Sequence, residues 1–152
     1  MKKIVLQGCT YSPGYSDMRG AAHSMELEKE ETGWVMICRD REYYSAPTKV
    51  AVYRVSVEAV AEFEDFIVKK RILSLENRLK SKVFITDYSP WSFDIDYEKT
   101  ALGKTDQEFC SIGQNRIYSP LDRRKLEELK ERFLALRGEI LSETVEEKRK
   151  EE

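Results

Sequence analysis

Cysteine is scarce in this chain, and its three copies are too far apart to staple it. Cys9, Cys38 and Cys110 are odd in number and contain no C-x-x-C pair. That excludes a secreted disulfide framework and the paired spacing of structural zinc. Reduced thiols in a cytoplasm are the expectation. Histidine is scarcer still: His23 stands alone, so any Ser–His or Cys–His nucleophile pair has to use it. No orienting acid follows it in a recognisable order, and no catalytic residue is expected. Apolar runs last only a few residues, too short to span a bilayer as a helix. Clustered basic charge is lacking too. The 26 basic and 28 acidic side chains are well mixed and leave a net charge of −2, without the footprint of a nucleic-acid or anionic-membrane binder.

Phosphate-cradling motifs are also missing. The stretch Gly14-Tyr15-Ser16-Asp17-Met18-Arg19-Gly20 offers two glycines and Arg19 to an anion. No Lys-Ser or Lys-Thr follows it, and it matches neither the P-loop nor G-x-G-x-x-G. No cofactor and no metal are expected. One feature points toward export: Lys2-Lys3 followed by Ile4-Val5-Leu6-Gln7-Gly8-Cys9 has the outline of a lipoprotein signal. Its apolar core of about three residues falls short of the roughly 7–15 that such a signal needs. A lipid anchor on Cys9 is therefore the lesser alternative.

What is present describes a folded domain. With 152 residues, 41% of them hydrophobic and 36% charged, the chain is long enough to bury roughly 68–70% of its unfolded surface without metal or disulfide. One domain over residues 1–141 is expected, followed by a charged, disordered tail over 142–152.

The organising stretch is Trp91-Ser92-Phe93-Asp94-Ile95-Asp96-Tyr97. Trp91, Phe93, Ile95 and Tyr97 alternate with Ser92, Asp94 and Asp96, the period of a strand with one apolar face. Three aromatics on that face each bury roughly 150–250 Å², so something must cover them, and we place this strand near the middle of a sheet. Further strands are expected over 4–9 (there a strand or a segment pinned to a sheet edge), 23–28, 34–40, 49–55 and 107–112, from β-branched and alternating runs between turn residues. Polar turns are expected at 29–33 and around Gly103.

Two covers are legible. Ser56 stands at an N-cap position, Glu58, Glu62, Glu64 and Asp65 follow, and Val57, Val60, Phe63 and Ile67 recur at helical spacing beside Phe66. Ser119-Pro120-Leu121-Asp122 is a second start signal. Leu126, Leu129, Phe133, Leu136 and Ile140 continue it as one stripe. The result is an α+β fold: a mainly antiparallel sheet of about five to six strands with two amphipathic helices on one face.

Functional candidates come from aromatic density. Tyr11, Tyr15, Tyr43, Tyr44, Tyr88 and Tyr118 fall in expected loops or strand ends, where tyrosines serve interfaces and ligand rims. Asp94 and Asp96 share a strand face about 7 Å apart, with Asp87 near in sequence; alternation alone also explains them as a solvated face.

The stretches from His23-Ser24-Met25 to Pro47, Tyr53-Arg54-Val55-Ser56 and Thr86-Asp87-Tyr88-Ser89-Pro90-Trp91-Ser92-Phe93 resemble a group of small uncharacterised bacterial α+β proteins. The likeness covers the middle and C-terminal two-thirds. It implies a bacterial, cytoplasm-like domain and carries no activity, so no functional residue is transferred from it.

Two functions remain as expectations. The first is a non-catalytic binding or interaction protein, adaptor- or immunity-like, that meets a protein partner or a second copy through Tyr-rich loops such as Tyr43-Tyr44 or through a sheet edge. The second is a small-molecule binder or enzyme with a cleft near Asp87, Tyr88 and Trp91, joined by His23 or Arg19. A converging polar cluster in an apolar pocket favours the second, and a flat exposed aromatic patch favours the first.

Overall fold

The computed structural model describes residues 3–14, 22–43, 45–80, 91–113 and 116–146. Among them run β1 (Lys3–Ser12), β2 (Ala22–Glu30), β3 (Gly33–Arg41), β4 (Thr48–Val55), α1 (Val57–Lys69), a 3-10 helix (Ile72–Asn77), β5 (Ser92–Ala101), β6 (Lys104–Gly113), α2 (Pro120–Leu134) and β7 (Ile140–Glu146). The strands form one open sheet in the order β6-β5-β1-β2-β3-β4-β7. Every neighbouring pair is antiparallel. The architecture is α+β, as the patterning implied, with seven strands rather than five or six and a third, short helix.

The aromatic strand β5 lies second from one edge, not near the middle. The opening segment, expected as a strand or as a segment pinned to a sheet edge, is the strand β1, and it runs between β5 and β2. Its apolar residues serve the core: Leu6, Cys9 and Tyr11 are buried. The pairing of β1 with β5 slips by one residue between Leu6 and Gly8. At this bulge the Leu6 amide donates to Glu64 Oε2 of α1 at 2.9 Å. A backbone group that the bulge deprives of a ladder partner is thus met by a helix carboxylate.

Phe93 joins α2 to this face. Its ring meets Phe133 edge-on at 5.0 Å and Tyr11 at 5.9 Å. Phe133 also touches Phe63 of α1 at 5.9 Å, so one ring ties both helices to the sheet. Trp91 and Tyr97 pack at the margin of this core while Phe93 and Ile95 are buried in it.

Each helix starts as its sequence requires. The Ser56 hydroxyl accepts the Ala59 amide at 3.1 Å, and Ser119 with Asp122 forms a reciprocal capping box with Pro120 in the first turn. Val57, placed on the buried stripe by its spacing, is 65% exposed, because it stands at the first helical position, ahead of the turns that touch the sheet.

The largest correction concerns the C-terminal end. The apolar stripe reads as helix through Ile140, yet α2 stops at Leu134. Gly138 turns the chain beside β4: its amide donates to the Arg54 carbonyl at 2.8 Å, and a Cβ there would stand 2.7 Å from that oxygen. Ile140–Glu146 then pairs with β4 as β7, where the start of a disordered tail was expected. Residues 147–152 lie outside the described residues.

Candidate functional site

Beside β5 the chain is held where β6 hands over to α2. Arg78 grips Asp122 through Nε–Oδ2 at 2.8 Å and Nη2–Oδ1 at 3.1 Å. Asp122 is 5% exposed. The guanidinium first, and the Ser119 bonds behind it, hold its carboxyl down at about 2. The Ile117 amide donates to the Leu79 carbonyl at 2.8 Å, and Arg116 Nη1 donates to the Arg78 carbonyl at 3.2 Å. Tyr118 turns its hydroxyl back to Gly113, donating to the carbonyl at 2.8 Å and accepting the amide at 3.2 Å. Burial pushes that phenol above its usual range.

These anchors leave a cleft of about 430 Å³ between the Arg116–Tyr118 segment, Trp91 and the first turns of α2. Trp91 stacks on Tyr118 with centroids 6.2 Å apart and planes 28° from parallel. Lys130 Nζ stands 4.3 Å from the Trp91 ring centroid, a cation–π contact. Arg116, Arg123 and Lys130 bring three cations to the lining against one carboxylate, Glu127, whose contact with Lys130 is only 4.0 Å. The Nε–H of Arg116 is buried and has no acceptor among the described residues. Ile117 and Leu126 supply apolar wall. A flat group with negative charge matches this chemistry.

Of the functional candidates singled out in the sequence, Trp91 and Tyr118 line this cleft. Arg19, Tyr44, Asp87 and Tyr88 lie outside the described residues, as does most of the Gly14–Gly20 loop. His23 sits on β2, its Nδ1 2.7 Å from Asp40 Oδ1 of β3. The Ser12 hydroxyl bonds to its carbonyl and not to its ring, so Ser12 forms no Ser–His pair with it. Tyr43 is 49% exposed in the β3–β4 loop. Tyr11, near the end of β1, and Tyr118, in the β6–α2 connection, stand at a strand end and in a loop as expected, but at 7% and 9% exposure their rings belong to the core.

Sequence reasoning missed Arg116, Arg123 and Lys130. Within α2 the two cations fall seven residues apart, hence on one side of the helix. Their convergence with Arg116 depends on the β6–α2 connection.

Asp94 and Asp96 lie on the opposite sheet face. Asp96 borders a groove of about 270 Å³ above Gly8 with Glu26 and Glu28. Burial and then Glu26 raise the Glu28 carboxyl. Among the described residues no group of three or more His, Cys, Asp or Glu side chains is placed to hold a metal ion. No described helix is long and apolar enough to cross a membrane. Cys9 is 3% exposed between Leu27 and Ile95; cleavage before it for lipid attachment would strip Leu6 from the core.

No family model, curated protein or solved structure matches this chain.

Proposed function

We propose that this protein is a non-catalytic binding protein whose ligand, a small anion with a flat apolar part, seats in the Trp91 cleft. The observation that carries the reading is the meeting of Arg116, Arg123 and Lys130 with the Trp91–Tyr118 stack around one cavity of about 430 Å³. Small-molecule sites occupy about 300–1,000 Å³, apolar walls with a few converging polar groups. A carboxylate, sulfonate or phosphate on the ligand answers the three cations. Its flat part extends the aromatic stack.

Binding is favoured over catalysis by the lining itself. The Tyr118 hydroxyl is committed to Gly113, and no thiol or histidine reaches the cleft. A general base held by an orienting partner is not among its groups. A bacterial cytoplasm remains the proposed setting. A second reading, docking of a partner protein at the β3–β4 loop, draws on the half-exposed ring of Tyr43.

The test uses 8-anilinonaphthalene-1-sulfonate, a flat aromatic sulfonate that fluoresces when bound, beside the neutral dye Nile red. Saturable binding of the sulfonate is expected, lost in Trp91→Ala and weakened roughly ten-fold in Lys130→Glu, the scale of a charge-assisted hydrogen bond. Nile red should respond to Trp91→Ala alone. Sulfonate binding that ignores both substitutions would overturn the assignment.

A further inference from the structure

The two edges of the sheet are treated differently. At β6, Glu76 Oε2 accepts the Ser111 amide at 3.2 Å, and Cys110 Sγ lies 3.8 Å from the Leu73 carbonyl. The 3-10 helix thus covers that edge, and the rest of β6 carries Lys104, Asp106 and Glu108. At the other edge, β7 has β4 on one side and, among the described residues, no strand beyond it. All seven of its residues are exposed, Ile140 and Leu141 by 44% and Val145 by 58%.

A long, exposed edge strand presents a row of backbone donors and acceptors to any strand that can align with it, and proteins blunt such edges with proline, lysine or a cover. β7 has neither proline nor lysine, although it carries Glu143 and Glu146 and its ladder with β4 slips by one residue at Leu141. Ile, Thr and Val are strand formers. Its sequence is also nearly symmetric in character: Leu141-Ser142-Glu143-Thr144-Val145 reads apolar, hydroxyl, carboxylate, hydroxyl, apolar in both directions. An antiparallel pair of such strands related by a two-fold axis is self-complementary.

We propose that the chain self-associates through β7, pairing it antiparallel with β7 of a second copy about an axis at Glu143. Leu141 then faces Val145 of the other copy and Ser142 faces Thr144, each twice. Apolar and hydroxyl cross-strand pairs of this kind are favourable, whereas two Glu143 carboxylates directly opposed are not. One strand pair buries less than the roughly 1,200 Å² of a lasting complex, so the dimer is weak and reversible. The sheet runs on unbroken from one copy to the next. β7 and the Trp91 cleft lie at opposite sides of the sheet, and either assignment can fail without the other.

Sedimentation velocity of the full chain across a wide concentration range tests it. A monomer–dimer equilibrium is expected. Thr144→Lys should shift it to monomer, while Glu143→Gln, which removes the opposed charges, should tighten it about two- to five-fold. Mixing wild type with Glu143→Lys should give heterodimers in preference to either parent dimer, since Glu143 then meets a lysine. Circular dichroism of each variant separates lost pairing from lost fold, and the Glu143 variants decide the matter if Thr144→Lys unfolds. A monomer at every concentration overturns the proposal, and so does a dimer indifferent to Glu143 and Thr144.

Discussion

Arg78 and Asp122, forty-four residues apart, form a two-pronged ion pair at 2.8 and 3.1 Å that fastens the 3-10 helix region to the first turn of α2. The same carboxylate also completes the capping box, accepting the Ser119 amide at 3.2 Å. One side chain therefore satisfies a helix start and a tertiary clamp.

Ser119→Ala, which removes the cap alone, should cost about 1 kcal/mol. Asp122→Asn should cost more, because it also leaves the Arg78 guanidinium without its counter-charge. The carboxyl is held at about 2, below its ordinary value. It therefore stabilises the fold above the unfolded-state value of about 3.9, and that contribution fades as pH falls through the folded value near 2. Thermal melts between neutral and acid pH should show wild type and Asp122→Asn converging as the pH drops.

Tyr118→Phe deletes the hydroxyl that meets both the amide and the carbonyl of Gly113. Leaving these groups unmet in a buried place should cost about 1–3 kcal/mol by urea denaturation. Burial raises the Tyr118, Tyr11 and Tyr97 phenols. Groups raised on folding stabilise below the unfolded value and lose that contribution as pH climbs past about 10. An ultraviolet titration should show a late fraction of tyrosine ionisation that disappears in denaturant.

Cys9, Cys38 and Cys110 are all free and buried. Burial is the first cause raising each thiol above its ordinary value, and thiolate is the reactive form. Ellman's reagent should label the native protein slowly and all three cysteines at once in denaturant. Fast native labelling of any one of them would contradict its place in the core.

Gly138→Ala sets a Cβ 2.7 Å from the Arg54 carbonyl oxygen, a contact with backbone that cannot swing aside. The bond from the Gly138 amide to that same oxygen should loosen, and β7 should part from β4. Hydrogen exchange is expected to lose protection in β7 and the outer side of β4, while Phe133 and its neighbours stay protected.

Phe133→Ala should be the most damaging single change, at about 3–5 kcal/mol. Its ring is fully buried between Phe63, Phe93 and Tyr11. Phe133→Leu should recover much of that loss.

What could be read without coordinates was what local chemistry dictates. The two-residue period of Phe93, Ile95 and Tyr97, the caps Ser56 and Ser119, and the β-branched runs of β3 and β4 each act over a few neighbouring residues, and all reappear in the fold. The α2 stripe misled because Leu136 and Ile140 keep helical spacing while Gly138 needs its close approach to Arg54. Periodicity carries no record of that contact. Trp91 was legible as a candidate from its position in the aromatic strand, but its cations were not. Arg116, Arg123 and Lys130 are ordinary charges along the chain, and they meet only because Arg78 and Asp122 pin the β6–α2 connection.

By itself, then, the sequence determined most of the element types, the apolar faces of β5 and of the two α-helices, and cysteines without paired spacing, since side-chain period, capping and spacing are local properties. Tertiary structure alone decided the strand order, the interior place of β1, the conversion of the C-terminal segment into β7, and the meeting of three cations with Trp91. Those outcomes depend on which distant backbone and side-chain groups satisfy one another's hydrogen bonds and charge, and that is a property of the packed chain.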